Sequence, residues 1–279
     1  MPALVAPHTH QLAAADGTLL HVSDFVLPDA DTRGSIVLMH GLGEHSGRYR
    51  HLAHLFNEMG LSVRCYDHRG HGRSQGGRGD VPNGDPMLQD AQIVIEHFAA
   101  RFARRPFLFG HSMGGLFAAR FALAATTPLR GLILSSPALA VRMSPLQHRL
   151  LGLMLTLAPR IGVPNGLQPQ YLSHDPAVVA AYRNDPLVHG KISARLLRSM
   201  LGAIDYCQQH AAELHLPLLL QIAGDDHLVD ASGSRRFFAQ LPDGDFTFKV
   251  YESLYHEIFN ETDPAPGADL RAWLTAQLT

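Results

Sequence analysis

Short apolar runs alternate with helix-like hydrophobic patterns through the first half of the chain. The runs at Ser35–Met39, Leu61–Tyr66, Phe107–Phe109 and Leu132–Leu134 predict buried strands, because each is short and mostly apolar. Apolar residues at helical spacing predict the helices between them, at about 49–59, 85–104 and 114–125. Strands that alternate with helices are typical of parallel crossovers. We therefore predict an α/β fold with a mostly parallel central sheet flanked by helices.

This alternation breaks in the second half of the chain. No clear strand is predicted between Ser136 and about His215, where seven prolines separate short helical segments. Structureless loops of this length are uncommon in compact domains, so we predict that residues 137–210 form an inserted helical cap. The α/β core is then predicted over residues 1–136 and 211–279.

Further strands are predicted on either side of these regions. After the predicted cap, strands are expected at Leu218–Ile222 and Phe246–Tyr251, with helices that begin near Ser232 and end near Leu278. Near the start of the chain, partial alternation over Leu19–Leu27 predicts an edge strand. Ligands and active groups gather at the carboxyl ends of the strands in sheets of this type.

The chain contains two copies of G-x-S-x-G, the pattern of a sharp strand-to-helix turn that exposes a nucleophilic serine. Gly110–Gly114 directly follows a predicted strand and directly precedes a predicted helix, so its central residue, Ser112, is the predicted nucleophile. Gly72–Gly76 lies inside a glycine-rich loop with neither neighbour. We therefore interpret the match at Ser74 as a chance one.

A nucleophilic serine needs a base that accepts its proton, and the base needs a carboxylate that orients it. In α/β-hydrolases the chain order is serine, acid, histidine. If the acid follows the strand at Leu218–Ile222, only His227 and His256 remain as bases. His227 lies beside the acid loop, too close in sequence to bridge to Ser112. His256 is therefore the predicted base.

The acid is less well determined by the residues themselves. The turn after the predicted strand offers Asp225 and Asp226, and Asp230 is a third candidate. Asp230 lies just before a predicted helix, where an aspartate ordinarily caps the helix N-terminus. Asp225 has an equally ordinary role in fixing the turn, so the pattern alone leaves both neighbours open.

An acyl-transfer site also needs N–H groups that stabilise the oxyanion of the tetrahedral intermediate. We expect one from Met113, directly after the nucleophile, and the other from the loop that follows the strand Ser35–Met39. In that loop, His40–Gly43, the amide of Leu42 is the predicted donor.

Several of these segments together resemble the monoacylglycerol lipase and lysophospholipase branch of the serine α/β-hydrolases. The matching segments are His40–Tyr49, Asp67–Ser74, Gly110–Gly115, Tyr182–Val188, Gly224–Asp230 and Tyr255–Glu257. They lie in the family's order within roughly residues 15 to 278, and the ten-residue segment at His40 is the most specific of them.

The resemblance implies a role for several further residues. It assigns the acid to Asp226, and it implies that the cap covers an apolar acyl tunnel and can touch membranes. It places Glu44, Arg48 and Tyr182 near the glycerol end of the site. One position departs from the family, because animal monoacylglycerol lipases have a second histidine where this chain has Phe259. This departure concerns glycerol specificity rather than ester hydrolysis.

Composition and charge exclude other classes of function. Charged residues make up 17% of the chain and the formal net charge is −2, so we expect no nucleic-acid partner. The pairs His51/His54 and His68/His71 lack a third ligand at recognisable spacing, and we predict no metal and no cofactor. The two cysteines form no disulfide or zinc pattern, which favours a reducing compartment such as the cytoplasm.

The cap carries the strongest apolar stripe of the sequence, at residues 146, 150, 153, 154 and 157. This stripe either packs on the core or docks at a lipid surface. The start of the chain resembles no signal peptide, and no apolar stretch approaches the ~20 residues of a membrane span. We therefore expect a cytoplasmic protein. If the stripe docks at a lipid surface, the cap makes transient contact with membranes. The sequence leaves the oligomeric state open.

Together these patterns predict a serine hydrolase that cleaves single-chain lipid esters, most specifically monoacylglycerols, through an acyl-enzyme intermediate. The alternative within enzymes is a carboxylesterase or lysophospholipase with another head-group preference. The alternative from another class is a silent ligand-binding protein on the same scaffold, since a fold alone does not determine function.

Overall fold

The computed structural model describes residues 5–279. Residues 1–4, which belong to the predicted core and to the segment that resembles no signal peptide, lie outside the described part. The described strands are β1 (His8–Ala13), β2 (Leu19–Phe25), β3 (Gly34–Met39), β4 (Leu61–Tyr66), β5 (Phe107–His111), β6 (Gly131–Ser135), β7 (Gly162–Pro164), β8 (Lys191–Ser193), β9 (Leu218–Ala223) and β10 (Phe246–Tyr251). The α-helices are α1 (Arg50–Glu58), α2 (Pro86–Ala99), α3 (Met113–Ala124), α4 (Pro145–Leu157), α5 (Pro176–Asn184), α6 (Ala194–His210), α7 (Ala231–Ala239) and α8 (Ala265–Leu278).

The central sheet has eight strands in the order β1-β2-β4-β3-β5-β6-β9-β10. Every pair from β4 to β10 is parallel, and only the pairs that β2 makes with β1 and β4 are antiparallel. The predicted α/β class with a mostly parallel sheet is confirmed. The strand predicted at Leu19–Leu27 is confirmed as β2, but its predicted edge position is wrong, because β1 covers that side of β2. The polar sequence of β1, HTHQLA, gave no strand signal of its own.

Helices cover both faces of the sheet. On one face, α2, α3 and α6 enclose a hydrophobic cluster with side chains such as Leu108, Phe117 and Met200. On the other face, α1 and α8 enclose a second cluster that includes Phe56, Phe109 and Trp273. β3 to β6 are buried along their whole length, because helices cover them on both sides.

The insertion between β6 and β9 contains α4, α5, α6 and a small antiparallel sheet formed by β7 and β8. The expectation that this region lacks strands is therefore wrong. Each of the two strands has only three residues, which is too short for a pattern to show in the sequence. The boundaries of the cap at residues 137 and 210 stay a prediction, and α6 within them packs against α3 of the main cluster.

Within residues 5–279, no helix combines the length and the apolar character that crossing a bilayer requires. The longest helix of the insertion, α6, has 17 residues and carries arginines and an aspartate along its length.

Candidate active site

Ser112 lies at a sharp turn between β5 and α3, in the conformation that the motif demands. Its φ is 54° and its ψ is −120°, which L-residues rarely adopt, so the backbone is strained at this position. A Cβ atom at Gly110 would lie 2.5 Å from the carbonyl oxygen of Gly114, and one at Gly114 would lie 2.3 Å from that of Met39. Glycine is therefore required on both sides of Ser112 for the turn to fit against β3.

Two backbone N–H groups near Ser112 have no hydrogen-bond acceptor within residues 5–279. These are the amides of Leu42 and Met113, the two predicted oxyanion donors. Met113 begins α3, whose partial positive end favours an anion there. Unpaired donors at a site lined by Ser112 are what an oxyanion hole requires.

The loop that carries Leu42 is held by buried side chains. The N–H of Gly41 donates to Glu44 Oε1 at 2.6 Å, and the amide before Leu42 is thereby satisfied. His40 Nε2 accepts the N–H of His68 at 2.9 Å, so its Nδ1 carries the proton and donates to the Gly41 carbonyl at 2.8 Å. Burial lowers the pKa of His40 to about 3, which keeps this ring neutral.

Asp226 and His256 form a buried pair at the carboxyl ends of β9 and β10. Nδ1 of His256 lies 2.7 Å from Oδ2 of Asp226, and the side chains are 4% and 1% exposed. The other carboxylate oxygen accepts the N–H groups of Leu228 and Val229 at 2.9 and 3.0 Å. Burial raises the pKa of Asp226, but His256 and these hydrogen bonds outweigh it and hold the pKa below its usual value.

His256 has the electrostatic environment of a base. Burial lowers its pKa, but the charge of Asp226 and the hydrogen bond to it outweigh this effect, so its pKa is raised overall, with Glu257 and Glu44 contributing. Ser112 and His256 line one narrow cavity together with Gly41 and Leu42. The three predicted triad residues and the predicted oxyanion loop therefore converge on one place.

The other acid candidates have different partners. Asp225 is half exposed and pairs with His227 at 3.0 Å between Nε2 and Oδ1. Asp230 accepts the N–H of Ser232 at 3.0 Å and caps α7, the role that its place before a helix predicts. Only Asp226 reaches His256.

A cluster of polar side chains lies at one end of the narrow cavity. Arg48 donates two hydrogen bonds to Glu257, at 2.6 and 2.8 Å, and also bonds to Glu44. Its guanidinium lies over the ring of Tyr182, 4.9 Å from the ring centroid. Glu44 and Tyr182 line the cavity, while Arg48 supports them from behind. The three residues that the resemblance placed near the glycerol end thus contact one another.

Glu257 is a residue of this cluster to which the sequence assigned no separate role. It is 5% exposed, and its carboxylate accepts hydrogen bonds from Arg48 and Asn260. A charged residue directly after the predicted base was the available signal. Phe259 points elsewhere and packs edge-on against Phe109, with ring centroids 5.8 Å apart.

A larger cavity of about 560 Å³ extends from Ser112 under the insertion. Its walls come from the core at Met113 and Leu228 and from the insertion at Leu151, Met154 and Leu197. The volume falls within the range of small-molecule sites, and most of the lining is apolar. One end of this cavity is thus Ser112 and the other is apolar enough for an alkyl chain.

Most of the apolar stripe of α4 faces outward. Leu146, Leu150, Leu153 and Leu157 are between 52% and 75% exposed, and Ile161 nearby is 60% exposed. The interpretation of this stripe as a face packed on the core is wrong for these leucines, because the buried side of α4 is the one that carries Leu151.

Comparison with known proteins agrees with this geometry. The family described as serine aminopeptidase S33 (Hydrolase_4) matches residues 30–263. A monoacylglycerol lipase of Mycolicibacterium smegmatis is 38% identical over 276 residues, covering 96% of this chain and 97% of its own. A phospholipase, YtpA, of Bacillus subtilis is 34% identical over 82% of this chain and 89% of its own.

A solved structure shares the fold closely. The monoacylglycerol lipase of Paleococcus ferrophilus superposes with a TM-score of 0.84 at 35% sequence identity, covering 92% of this chain and 99% of the other. This similarity extends over both the sheet and the insertion.

Proposed function

The chain belongs to the serine aminopeptidase S33 family of α/β-hydrolases, and from this premise we propose that it hydrolyses monoacylglycerols with Ser112, His256 and Asp226 as its catalytic triad. The observation that carries the proposal is the convergence of a strained serine, a buried His–Asp pair and two unpaired amides at the end of an apolar cavity. The identity of 38% with a relative named monoacylglycerol lipase supports the substrate class.

The reaction begins when Ser112 Oγ attacks the ester carbonyl and its proton passes to Nε2 of His256. The amides of Leu42 and Met113 donate to the oxygen that becomes negative in the tetrahedral intermediate. Asp226 holds the imidazole through Nδ1 and stabilises its protonated form.

The intermediate then collapses and the bond to the alcohol breaks. His256 returns its proton to the departing glycerol oxygen, and the acyl group stays on Ser112 as an ester. A water molecule attacks this ester with His256 as the base, which releases the fatty acid and restores the serine.

We assign the two ends of the substrate to the two parts of the site. The acyl chain occupies the cavity of about 560 Å³ beneath the insertion. The glycerol hydroxyl groups face Glu44 and Tyr182, which Arg48 holds in place. Phe259 packs against Phe109 instead of lining the glycerol end of the site. Glu44 and Tyr182 therefore supply the polar groups at that end, without a second histidine.

The second candidate function is lysophospholipase activity, which the 34% identity with a relative named phospholipase favours. Both activities use the same triad and differ only in the alcohol that leaves. We do not propose aminopeptidase activity, because Glu44 and Glu257, the buried carboxylates that line the narrow cavity, are both already paired with Arg48.

We also propose that the outward leucines of α4 contact lipid surfaces. Leu146, Leu150, Leu153 and Leu157 form an exposed apolar surface beside the entrance to the acyl cavity, which Leu150 also lines. A surface of this kind at a cavity for lipid substrates allows a chain to enter from a bilayer or micelle.

A reducing compartment, the cytoplasm, is the location that we propose. Cys65 and Cys207 are both free thiols and both buried, one in each main hydrophobic cluster. Free buried cysteines are typical of proteins that work where disulfides do not form.

The proposed function is tested with a panel of substrates at fixed pH. The panel contains 1-lauroylglycerol, 1-lauroyl-lysophosphatidylcholine, dilaurin and p-nitrophenyl butyrate, with Ser112→Ala as the control for background hydrolysis. Turnover of 1-lauroylglycerol far above the others supports the proposal. Preference for the lysophospholipid supports the second candidate, and turnover of the short ester alone contradicts both.

A further inference from the structure

A second cavity of about 320 Å³ lies between α3, α6 and the loop before α2. It shares no lining residue with the acyl cavity or with the narrow cavity at His256. The polar side chains that line it are Asn83, Asp85, Arg120, Arg195, Arg198, Ser199 and Tyr206. Three of these seven are arginines, which is an unusual concentration of positive charge for a chain whose net charge is −2.

Arg120 lacks an acceptor for one of its donor groups. Its Nη1 atom is buried and has no hydrogen-bond partner in the described part of the chain. The guanidinium stacks over Tyr206, 3.4 Å from the ring centroid, which fixes its plane against the cavity wall. Nη1 itself is covered by protein, but no carboxylate pairs with this guanidinium within residues 5–279, so its positive charge is uncompensated beside the cavity.

The other charges of the cavity do not compensate that of Arg120. Arg195 is neutralised by Asp80, to which its Nε donates at 3.1 Å. Arg198 is exposed and makes no ion pair within residues 5–279. Asp85 is the only carboxylate in the lining, and it is exposed. Arg120 and Arg198 therefore leave a positive excess.

We propose that this cavity binds a small organic phosphomonoester. Arg120 and Arg198 bind the phosphate group, because guanidinium groups suit phosphate oxygens in both charge and geometry. The hydroxyl of Ser199 and the amide of Asn83 are additional donors in the lining. The volume exceeds that of a phosphate group alone, and Leu88 and Phe117 supply an apolar wall for the organic part.

The position of the cavity links its ligand to the proposed active site. α6 lines the acyl cavity with Ala194, Leu197 and Met200, and it lines the second cavity with other residues from Arg195 to Tyr206. α3 begins directly after Ser112 and carries Arg120 further along. A bound anion therefore bridges two helices that both border the acyl cavity. Binding itself does not depend on the proposed function.

The proposal is tested by calorimetric titration of the full chain at low ionic strength. The probes are phenyl phosphate, inorganic phosphate and, as the uncharged comparison, benzyl alcohol. The variants are Arg198→Gln, which removes an exposed charge, and Arg120→Lys, which keeps the charge but loses the planar fork. Arg235→Gln is the matched control, because Arg235 is exposed on α7, away from the cavity.

We expect phenyl phosphate to bind more tightly than inorganic phosphate, and benzyl alcohol not to bind. Arg198→Gln and Arg120→Lys should each weaken binding about tenfold, and Arg235→Gln should leave it unchanged. Hydrolysis of p-nitrophenyl butyrate without added phosphate should be the same in Arg198→Gln as in the unmodified protein, which shows that the variant is folded.

Three results would overturn the proposal. Absence of binding by both phosphates removes the site. If Arg235→Gln weakens the binding of phenyl phosphate as much as the cavity variants do, the binding is a general effect of the protein's charge and not of this site. Binding of inorganic phosphate as tight as that of phenyl phosphate contradicts the assignment of an organic ligand.

Discussion

The two G-x-S-x-G segments of this chain share their two glycines and their serine, but the two serines have different surroundings. Ser112 stands at a strained turn with its side chain at the wall of a cavity. Ser74 is 7% exposed, and its hydroxyl accepts the N–H of His21 at 2.8 Å and donates to the carbonyl of Asp67 at 2.6 Å. The hydroxyl of Ser112 faces a cavity, whereas the hydroxyl of Ser74 joins its loop to strand β2 and to the residue after β4.

The glycines of the two segments also serve different neighbours. At Gly110 and Gly114 a side chain would strike the backbone of the turn and of β3. At Gly72, where φ is +49°, it would lie 2.2 Å from Asp67 Oδ2, the oxygen that accepts the N–H of Arg73. Gly110 and Gly114 allow the sharp turn at Ser112, whereas Gly72 makes room for the carboxylate of Asp67.

The comparison teaches that the motif has meaning only with the strand before it and the helix after it. The loop of Ser74 is fixed by structure of its own, including Arg69, which pairs with Asp90 and Asp16. Ion pairs and hydrogen bonds of its own therefore hold this loop in place.

The largest expected effect separates the two serines by activity. Ser112→Ala should reduce kcat/KM about 10⁴-fold to 10⁶-fold, because members of a triad act as a unit. Ser74→Ala should change kcat/KM by no more than a few-fold per folded molecule. Initial rates on 1-lauroylglycerol, normalised to the folded fraction, measure both. Loss of activity in Ser74→Ala with retention in Ser112→Ala would reverse the assignment.

The next largest effect concerns Asp226, the acid that orients His256. Asp226→Asn should lower kcat about 10⁴-fold, because the amide no longer holds the imidazole in the required tautomer. Asp225→Asn is the matched control and should stay within a few-fold, since Asp225 is half exposed and pairs with His227. Steady-state rates on the same ester decide between them, and equal losses would place both aspartates in the site.

A smaller effect reveals what Ser74 does instead. Ser74→Ala leaves the N–H of His21 and the carbonyl of Asp67 buried without their partner, so the free energy of unfolding should fall by ~1–3 kcal/mol. Urea unfolding measures this change, with the exposed Ser232→Ala as a control expected within about 0.5 kcal/mol of the unmodified protein. An unchanged stability in Ser74→Ala would show that its hydrogen bonds are replaced.

The smallest expected effect concerns the negative charges that raise the pKa of His256. His256 accepts a proton only when neutral, so kcat/KM should rise as pH rises through its raised pKa and then level off. Glu257→Gln removes a negative charge that raises this pKa, so the acidic limb should move to lower pH by a few tenths of a unit. The pH profile of kcat/KM measures the shift, and a limb that moves to higher pH would contradict the role of Glu257. Glu213→Gln, on an exposed residue, is the control.

Much of the fold was predictable because buried parallel strands are short, apolar and flanked by glycine. β3, β4, β5, β6 and β9 all lie where apolar runs predict them, and the half-buried β10 lies where a strand is predicted at Phe246–Tyr251. β1 escaped prediction because its first four residues are polar and only its pairing with β2 makes it a strand. β7 and β8 escaped it because three residues carry no period.

The candidate site could be predicted where the chemistry requires a fixed order along the chain. Ser112 and His256 followed from order and context, while the choice of Asp226 over Asp225 needed the family resemblance. Contacts between distant segments left no local pattern. The pairing of Arg48 with Glu257, which joins residues 209 positions apart, is of this kind.

The insertion is bound to the loop of His256 by its backbone. The N–H of Glu257 donates to the carbonyl of Leu172 at 2.8 Å, and that of His256 to the carbonyl of Tyr171 at 3.4 Å. Glu261 accepts hydrogen bonds from Ser173, His174 and Tyr255. Replacing the insertion with that of a relative would therefore remove the support of the histidine loop unless residues 171–174 were retained. The portion of the insertion that can be exchanged without disturbing the histidine loop is accordingly shorter than the insertion itself.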